Sequence, residues 1–242
     1  MDMMGENIEA MKKRELLRSQ IDSIGLATLM DEKFETVDPE MGLMDVVARM
    51  RAKDLHEMPV TENGKKLLGV VSYRSIIRRK NLVIGTKVKS AMDLPPDVGP
   101  ETMVTKAAEQ FLSTGYRQIP VVRGSKIVGL VSRADIASII SRIKDLKTIK
   151  VRTIMTTQVQ TAQEDEPIKN AVETMRKLDI RTLPVVDEEG RLTGIIGIRD
   201  IVNYNWNGNR RETKGEISGE KKPVEVRVGS LASEAVVTIS PE

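Results

Sequence analysis

A pattern that recurs at fixed spacing constrains this chain more than any other feature. Leu43, Val46, Val47 and Met50 fall at i, i+3, i+4 and i+7. So do Val104, Ala107, Ala108 and Phe111, and again Ile168, Ala171, Val172 and Met175. Each set makes one apolar helix face, and the sets are offset by 61 and then 64 residues. An apolar-Pro-Val step keeps the same offsets: Met58-Pro59-Val60, Ile119-Pro120-Val121 and Leu183-Pro184-Val185. Two features in register three times mean three versions of one supersecondary unit, not one large domain.

Each proline step leads into a turn, at Glu62-Asn63-Gly64, Arg123-Gly124-Ser125 and Asp187-Glu188-Glu189-Gly190. Gly there supplies the positive φ of a tight hairpin. A second apolar run follows, at 67–71, 127–131 and 192–196, and then a short helix predicted over 75–79, 134–143 and 199–204. Each unit opens alike, with Leu29-Met30, Ala91-Met92 or Ile154-Met155 a few residues before a polar stretch such as Thr36-Val37-Asp38-Pro39-Glu40. The unit therefore reads β-α-β-β-α, an α/β (α+β) fold. The expected boundaries are a charged N-terminal segment over 1–22, repeats over 23–80, 86–144 and 149–206, and a polar linker over 207–224. Residues 225–242 carry Val228-Gly229-Ser230-Leu231-Ala232 and Thr238-Ile239-Ser240-Pro241-Glu242, the opening of a fourth repeat, here expected to be truncated.

Composition removes several classes of chemistry. The chain has no cysteine and one histidine, His56. Disulfide frameworks, thiolate metal sites and thiol catalysis are excluded, and a histidine cluster cannot form within one chain. No P-loop, no Gly-x-Gly-x-x-Gly and no paired nucleophile and base occur, so no enzyme is expected. The net charge of +3 gives no overall polyanion-binding field. Aromatic residues at 2% are too few for a stacking platform on single-stranded nucleic acid. No apolar run reaches the length of a membrane span and no secretory signal is visible, which points to the cytoplasm.

The segments Ile119-Pro120-Val121-Val122 with Gly129-Leu130-Val131-Ser132-Arg133-Ala134-Asp135, and Leu183-Pro184-Val185-Val186 with Gly194-Ile195-Ile196-Gly197-Ile198-Arg199-Asp200, resemble the cystathionine-β-synthase (CBS) domain. The likeness runs from Leu26 to about Tyr204. Four such repeats in one chain are similar to archaeal stand-alone CBS proteins and to the gamma subunit of AMP-activated protein kinase. The resemblance implies that repeats pair into Bateman modules whose clefts take an adenosine-containing regulatory ligand: AMP, ADP, ATP or S-adenosylmethionine. It places Asp135 and Asp200 on the ribose, where a carboxylate can accept both hydroxyls. The alternative for both is a helix cap. It places Ser132 and the following helix N-terminus on a phosphate, with Arg117, Arg181, Arg133 and Arg199 as basic phosphate contacts. Thr36 and Thr161 line the cleft, His56 stands in the place of Arg117 in the first repeat, and Ile119 and Val121 wall the adenine pocket unless they are simply core.

The leading expectation is a non-catalytic ligand sensor that passes occupancy to an effector protein. It is expected to be a homodimer, because the third repeat lacks most of its intended partner and a second chain could cover its sheet. Two alternatives stand beside it. Basic residues at the repeat junctions (Arg78, Arg79, Lys80, Lys87, Lys89, then Arg142, Lys144, Lys147, Lys150, Arg152) could bind nucleic acid or serve protein interaction. The chain could also be the regulatory part of a longer enzyme or transporter.

Overall fold

The computed structural model describes residues 15, 19, 21–79, 82, 85–143, 149–206 and 226–242. The expected linker over 207–224 and most of the charged N-terminal segment lie outside them. Repeat one contains α1 (Leu43–Ala52), β1 (Glu57–Glu62), β2 (Lys66–Ser72) and α2 (Tyr73–Arg78). Repeat two has α3 (Val104–Thr114), β3 (Gln118–Arg123), β4 (Lys126–Ser132) and α4 (Arg133–Ile140). Repeat three has β5 (Ala162–Gln163), α5 (Ile168–Leu178), β6 (Thr182–Val186), β7 (Leu192–Gly197) and α6 (Ile198–Trp206). The hairpins and the second helices stand where the sequence places them. The second helices of the first two repeats begin two and one residues earlier than expected, because Ser72 and Ser132 are the caps.

The leading strand of the repeat is minimal. It is a two-residue strand in repeat three, with Ala162 parallel to Val185. In repeat one it is a single parallel bridge of Val37 with Val60. A left-handed residue follows each first helix at the equivalent position: Gly115 at φ 69° and Asp179 at φ 54° cap α3 and α5, and Asp54 at φ 55° stands one residue past the cap of α1. Such a residue turns the chain sharply off the helix and into the strand.

The chain divides into two compact units. One is built from 1–40, 57–70 and 93–149, the other from 41–56, 71–92 and 150–242. Repeat one is thus shared: its strands join repeat two, and its helices join repeat three. In the first unit the two hairpins merge into one sheet of order β1-β2-β4-β3, with β2 meeting β4 at Lys66 and Lys126. Its core includes Leu26, Val98, Phe111, Ile119, Val121 and Val131, all buried. In the second unit α2 packs on α6 and on α5, and α1 packs on α6. The buried side chains of these helices include Tyr73, Ile77, Ile198 and Val202.

The opening segment of a repeat does not pack on its own repeat. The 3-10 turn Leu26–Thr28 lies on repeat two, with Leu26 N–H donating to Thr102 O (3.2 Å) and Ala27 N–H to Pro100 O (2.9 Å). Asp31 and Leu130 then exchange both backbone hydrogen bonds, at 2.8 and 2.9 Å. The turn Val88–Ser90 answers on repeat one through Val88 N–H to Met41 O (2.9 Å), and Asp93 pairs with Val70. The turn Val228–Ser230 makes the same contacts with repeat three, through Val228 N–H to Glu166 O (2.9 Å) and the Ser233–Ile195 pair. Repeat three is therefore not left bare: the 226–233 segment bridges its sheet.

Candidate functional site

The site proposed from sequence centres on the junction of β4 and α4. Ser132 ends the strand with extended dihedrals and caps the helix, so its side chain meets the first-turn amides. Its hydroxyl accepts from Asp135 N–H (3.1 Å) and donates to Asp135 Oδ2 (2.6 Å), and Ser132 N–H donates to the same oxygen (2.7 Å). This is a capping box. All of the side-chain hydrogen bonds of Asp135 fall on Oδ2, and the residue is half-buried at the helix start. The cap and a ligand contact are therefore compatible, because the second carboxylate oxygen is left for one. The phosphate role expected of Ser132 has less room, since its hydroxyl already both donates and accepts. The amide of Arg133 is also taken, donating to Arg117 O (2.9 Å).

The other first-unit residues are placed as follows. Arg133 turns back on its own repeat: Nη2 donates to Phe111 O (2.8 Å) and the guanidinium stands 5.9 Å from the Phe111 ring centroid. Arg117 is exposed just before β3. Ile119 and Val121 point into the core with no exposure, so they serve as packing here. Thr36 is half-buried immediately before Val37. Sequence reasoning missed Glu57, which is 7% exposed and accepts from Arg117 N–H (2.6 Å) and from Gln118 N–H. A carboxylate from repeat one thereby fixes the strand entry of repeat two, at the backbone of Arg117 and Gln118. The sequence draws attention to its neighbour His56, which occupies the family's basic position, and no local signal marks Glu57.

In the second unit Asp200 repeats half of the cap, its Oδ2 accepting from Gly197 N–H (2.8 Å) with no hydroxyl to complete a box. Arg181 is half-buried and its carbonyl accepts from Ile198 N–H (2.9 Å). Arg199 is spent on Asp54. Thr161 is exposed before β5. His56 stands edge-on to Tyr73, ring centroids 6.0 Å apart, with its carbonyl accepting Tyr73 N–H. Burial pushes the Tyr73 phenol above its ordinary value. The Arg74 guanidinium, hydrogen-bonded to Asp179, holds that carboxyl below the usual aspartate value.

The basic junctions are partly consumed by the fold. Arg79 donates to Ser75 O and Met92 O (both 2.6 Å), and Lys150 and Arg152 pair with Glu242. No group of His, Cys, Asp and Glu among the described residues is arranged to hold a metal ion.

The CBS domain profile matches residues 26–81, 88–142 and 151–207. The chain belongs to the CBS-domain family. Its repeats are tandem CBS domains of β-α-β-β-α topology, paired in the manner of Bateman modules, as their sequence resemblance implied. Protein MJ1404 of Methanocaldococcus jannaschii is 29% identical over 198 residues, which is 81% of this chain and 47% of that protein. The chain thus spans about half the length of that relative. The crystal structure of protein MJ1225 from the same organism superposes with a TM-score of 0.72 at 23% identity, covering 89% of this chain and 84% of that one. A Pyrococcus horikoshii protein gives 0.54 at 21% identity, covering 90% and 81%. These structures share the fold, and the archaeal likeness expected from four-repeat CBS proteins holds at that level. No helix among the described residues is long and apolar enough to cross a membrane.

Proposed function

We propose that the chain is a non-catalytic regulatory CBS protein whose first two repeats hold an adenosine-containing ligand, with Asp135 as the ribose anchor. The observation that carries this is the capping box. It fixes the Asp135 carboxylate at a helix N-terminus by one oxygen and leaves the other for a pair of vicinal hydroxyls. The exposed Arg117, whose backbone is held by Glu57, is the basic group for a phosphate in that site. Residues 225–242 are the opening of a fourth CBS repeat, whose turn Val228–Ser230 docks on repeat three as the other openings dock on repeats one and two. Occupancy changes the balance between arrangements of the paired repeats, and a separate effector protein reads it.

Calorimetric titration with AMP, ADP, ATP and S-adenosylmethionine tests the reading. Asp135→Ala removes charge-assisted hydrogen bonds worth about 1.5–3 kcal/mol, one to two decades of affinity. It also costs about 0.5–2 kcal/mol of stability as a lost cap. Ser132→Ala removes most of the cap and leaves the carboxylate, so it separates the two roles. Equal affinity in Asp135→Ala and the parent refutes the ribose assignment. No binding of any of the four ligands by the parent at millimolar concentration refutes the sensor in this module.

A further inference from the structure

The turn that carries Asp135 is braced by a side chain from another repeat. Glu57 opens β1 in repeat one, and its carboxylate accepts from Arg117 N–H (2.6 Å) and from Gln118 N–H, two successive amides at the entry to β3. β1 and β3 are the two outer strands of the sheet β1-β2-β4-β3. The hairpins meet through the backbone at their turn ends, where Leu67 N–H donates to Ser125 O (2.9 Å) and Ile127 N–H to Lys65 O (3.0 Å). Glu57 links the outer strands at the opposite end of the same hairpins. A carboxylate only 7% exposed is costly to hold there unless it is hydrogen-bonded, and charge-assisted bonds to amides are strong ones.

Both amides lead directly to the anchor turn. Arg117 O accepts from Arg133 N–H (2.9 Å), and Arg133 is the first residue of α4, between Ser132 and Asp135. Gln118 stands opposite Ser132 in the β3–β4 ladder. Glu57 therefore grips the two residues that face the capping box across the hairpin. The bond from strand entry to helix start recurs in the other repeats, from Tyr73 N–H to His56 O (3.3 Å) and from Ile198 N–H to Arg181 O (2.9 Å). The carboxylate does not recur: Gln118 and Thr182 stand at the place of Glu57.

We propose that Glu57 is a positioning residue for the Asp135 ligand site, so that repeat two binds at full strength only while repeat one grips its anchor turn. The inference rests on the reading of Asp135 as the ribose anchor. The capping box fixes the Asp135 carboxylate relative to its own helix start. It does not fix that helix start relative to the sheet. The Arg117–Arg133 bond and the Gln118–Ser132 pairing do so, and Glu57 holds the chain from which both are made. A pair of vicinal hydroxyls needs the carboxylate placed to within a fraction of an ångström, which is the work of such supporting groups. Glu57 raises affinity by preorganisation and not by touching the ligand.

Calorimetric titration of the full chain with AMP, ADP, ATP and S-adenosylmethionine tests the brace. Glu57→Ala should weaken the tightest of these at least about tenfold, as loss of a supporting partner commonly does, with unchanged stoichiometry. Glu57→Gln keeps an oxygen for the two amides and should recover most of that loss. A purely structural role would lower the folded fraction, and with it the stoichiometry, while the dissociation constant stayed that of the parent. Because Glu57 acts through Asp135, the double variant with Asp135→Ala should bind no more weakly than Asp135→Ala alone. Should the alanine variant not fold, Glu57→Asp keeps the charge but not the reach to both amides, and the same loss is expected. A loss in Asp135→Ala with none in the Glu57 variants overturns the brace alone, as do losses that add in the double variant. Asp135→Ala binding like the parent, or a parent that binds none of the four, overturns the anchor reading and this proposal with it. Hydrogen exchange then reports the contact without ligand: the Arg133 amide should lose more protection in Glu57→Ala than the β3–β4 ladder does.

Discussion

Gly129 is where the exchanged opening segment of repeat one presses hardest on repeat two. A Cβ built there meets Met30 Sδ at 2.9 Å, and Met30 Cβ and Cγ each at 3.0 Å. The sulfur can swing aside, but the Met30 Cβ is fixed to the backbone. The segment that carries it must therefore move away from β4, against the two hydrogen bonds that Asp31 and Leu130 exchange. Overpacking of this sort costs about 1–3 kcal/mol. Replacing glycine with alanine returns about 0.4–1 kcal/mol by restricting the unfolded chain. Gly129→Ala should thus lose roughly 0.5–2 kcal/mol, a few degrees of melting temperature for a unit of this size. The loss should be local first: in hydrogen exchange the amides of Asp31 and Leu130 should lose protection before those of the β3–β4 hairpin. Gly194→Ala provides an independent repetition, since its Cβ meets Ser233 O at 3.0 Å and Ala232 Cβ at 3.2 Å. It should free Ser233 and Ile195 in the same way. If both variants melt at or above the parent temperature and keep protection at those amides, the openings are not held as described.

Other perturbations test the rest of the structure. Glu57→Ala leaves the Arg117 and Gln118 amides without their acceptor and should destabilise by about 2 to 4 kcal/mol in chemical denaturation, whereas Glu57→Gln, which keeps an oxygen, should cost less. Asp179 has its acidity increased by Arg74, so its contribution is complete above the ordinary aspartate value of 3.8 and disappears as pH falls through the lower folded value. Denaturation midpoints of the parent and Asp179→Asn should accordingly converge below about pH 4 and be separated, with the parent higher, at neutral pH; asparagine tolerates the left-handed backbone there. A separation that persists unchanged into acid would assign the effect to something other than this carboxylate.

The sequence made the repeat legible because its signals are local. Helix periodicity, the proline step and the turn glycines each act within a few residues, and the strands holding Pro120 and Pro184 pair antiparallel as the expected hairpins. The caps were legible too, as the alternative role of Asp135 and Asp200. The exchange of openings was not, because Leu26 and Val88 look alike as sequence while each packs on the other's repeat. Nor was Glu57, whose importance depends on two amides 60 residues away. Nor were the ion pairs between repeats one and three: Arg199 read as a phosphate contact, and Asp54, which it meets, lies 145 residues away.

The exchange of openings also sets a schedule for synthesis. A ribosome releases Leu26 and Met30 long before Thr102 and Leu130, the groups that receive them. Repeat one therefore emerges with its opening unemployed and with its own docking site, at Met41 and Val70, waiting for Val88 and Asp93. Neither repeat can close without the other, so the first two become a single cooperative event that begins only when β4 has left the exit tunnel. Until then the apolar opening of repeat one has no docking site, and the nascent chain most needs a chaperone in that interval.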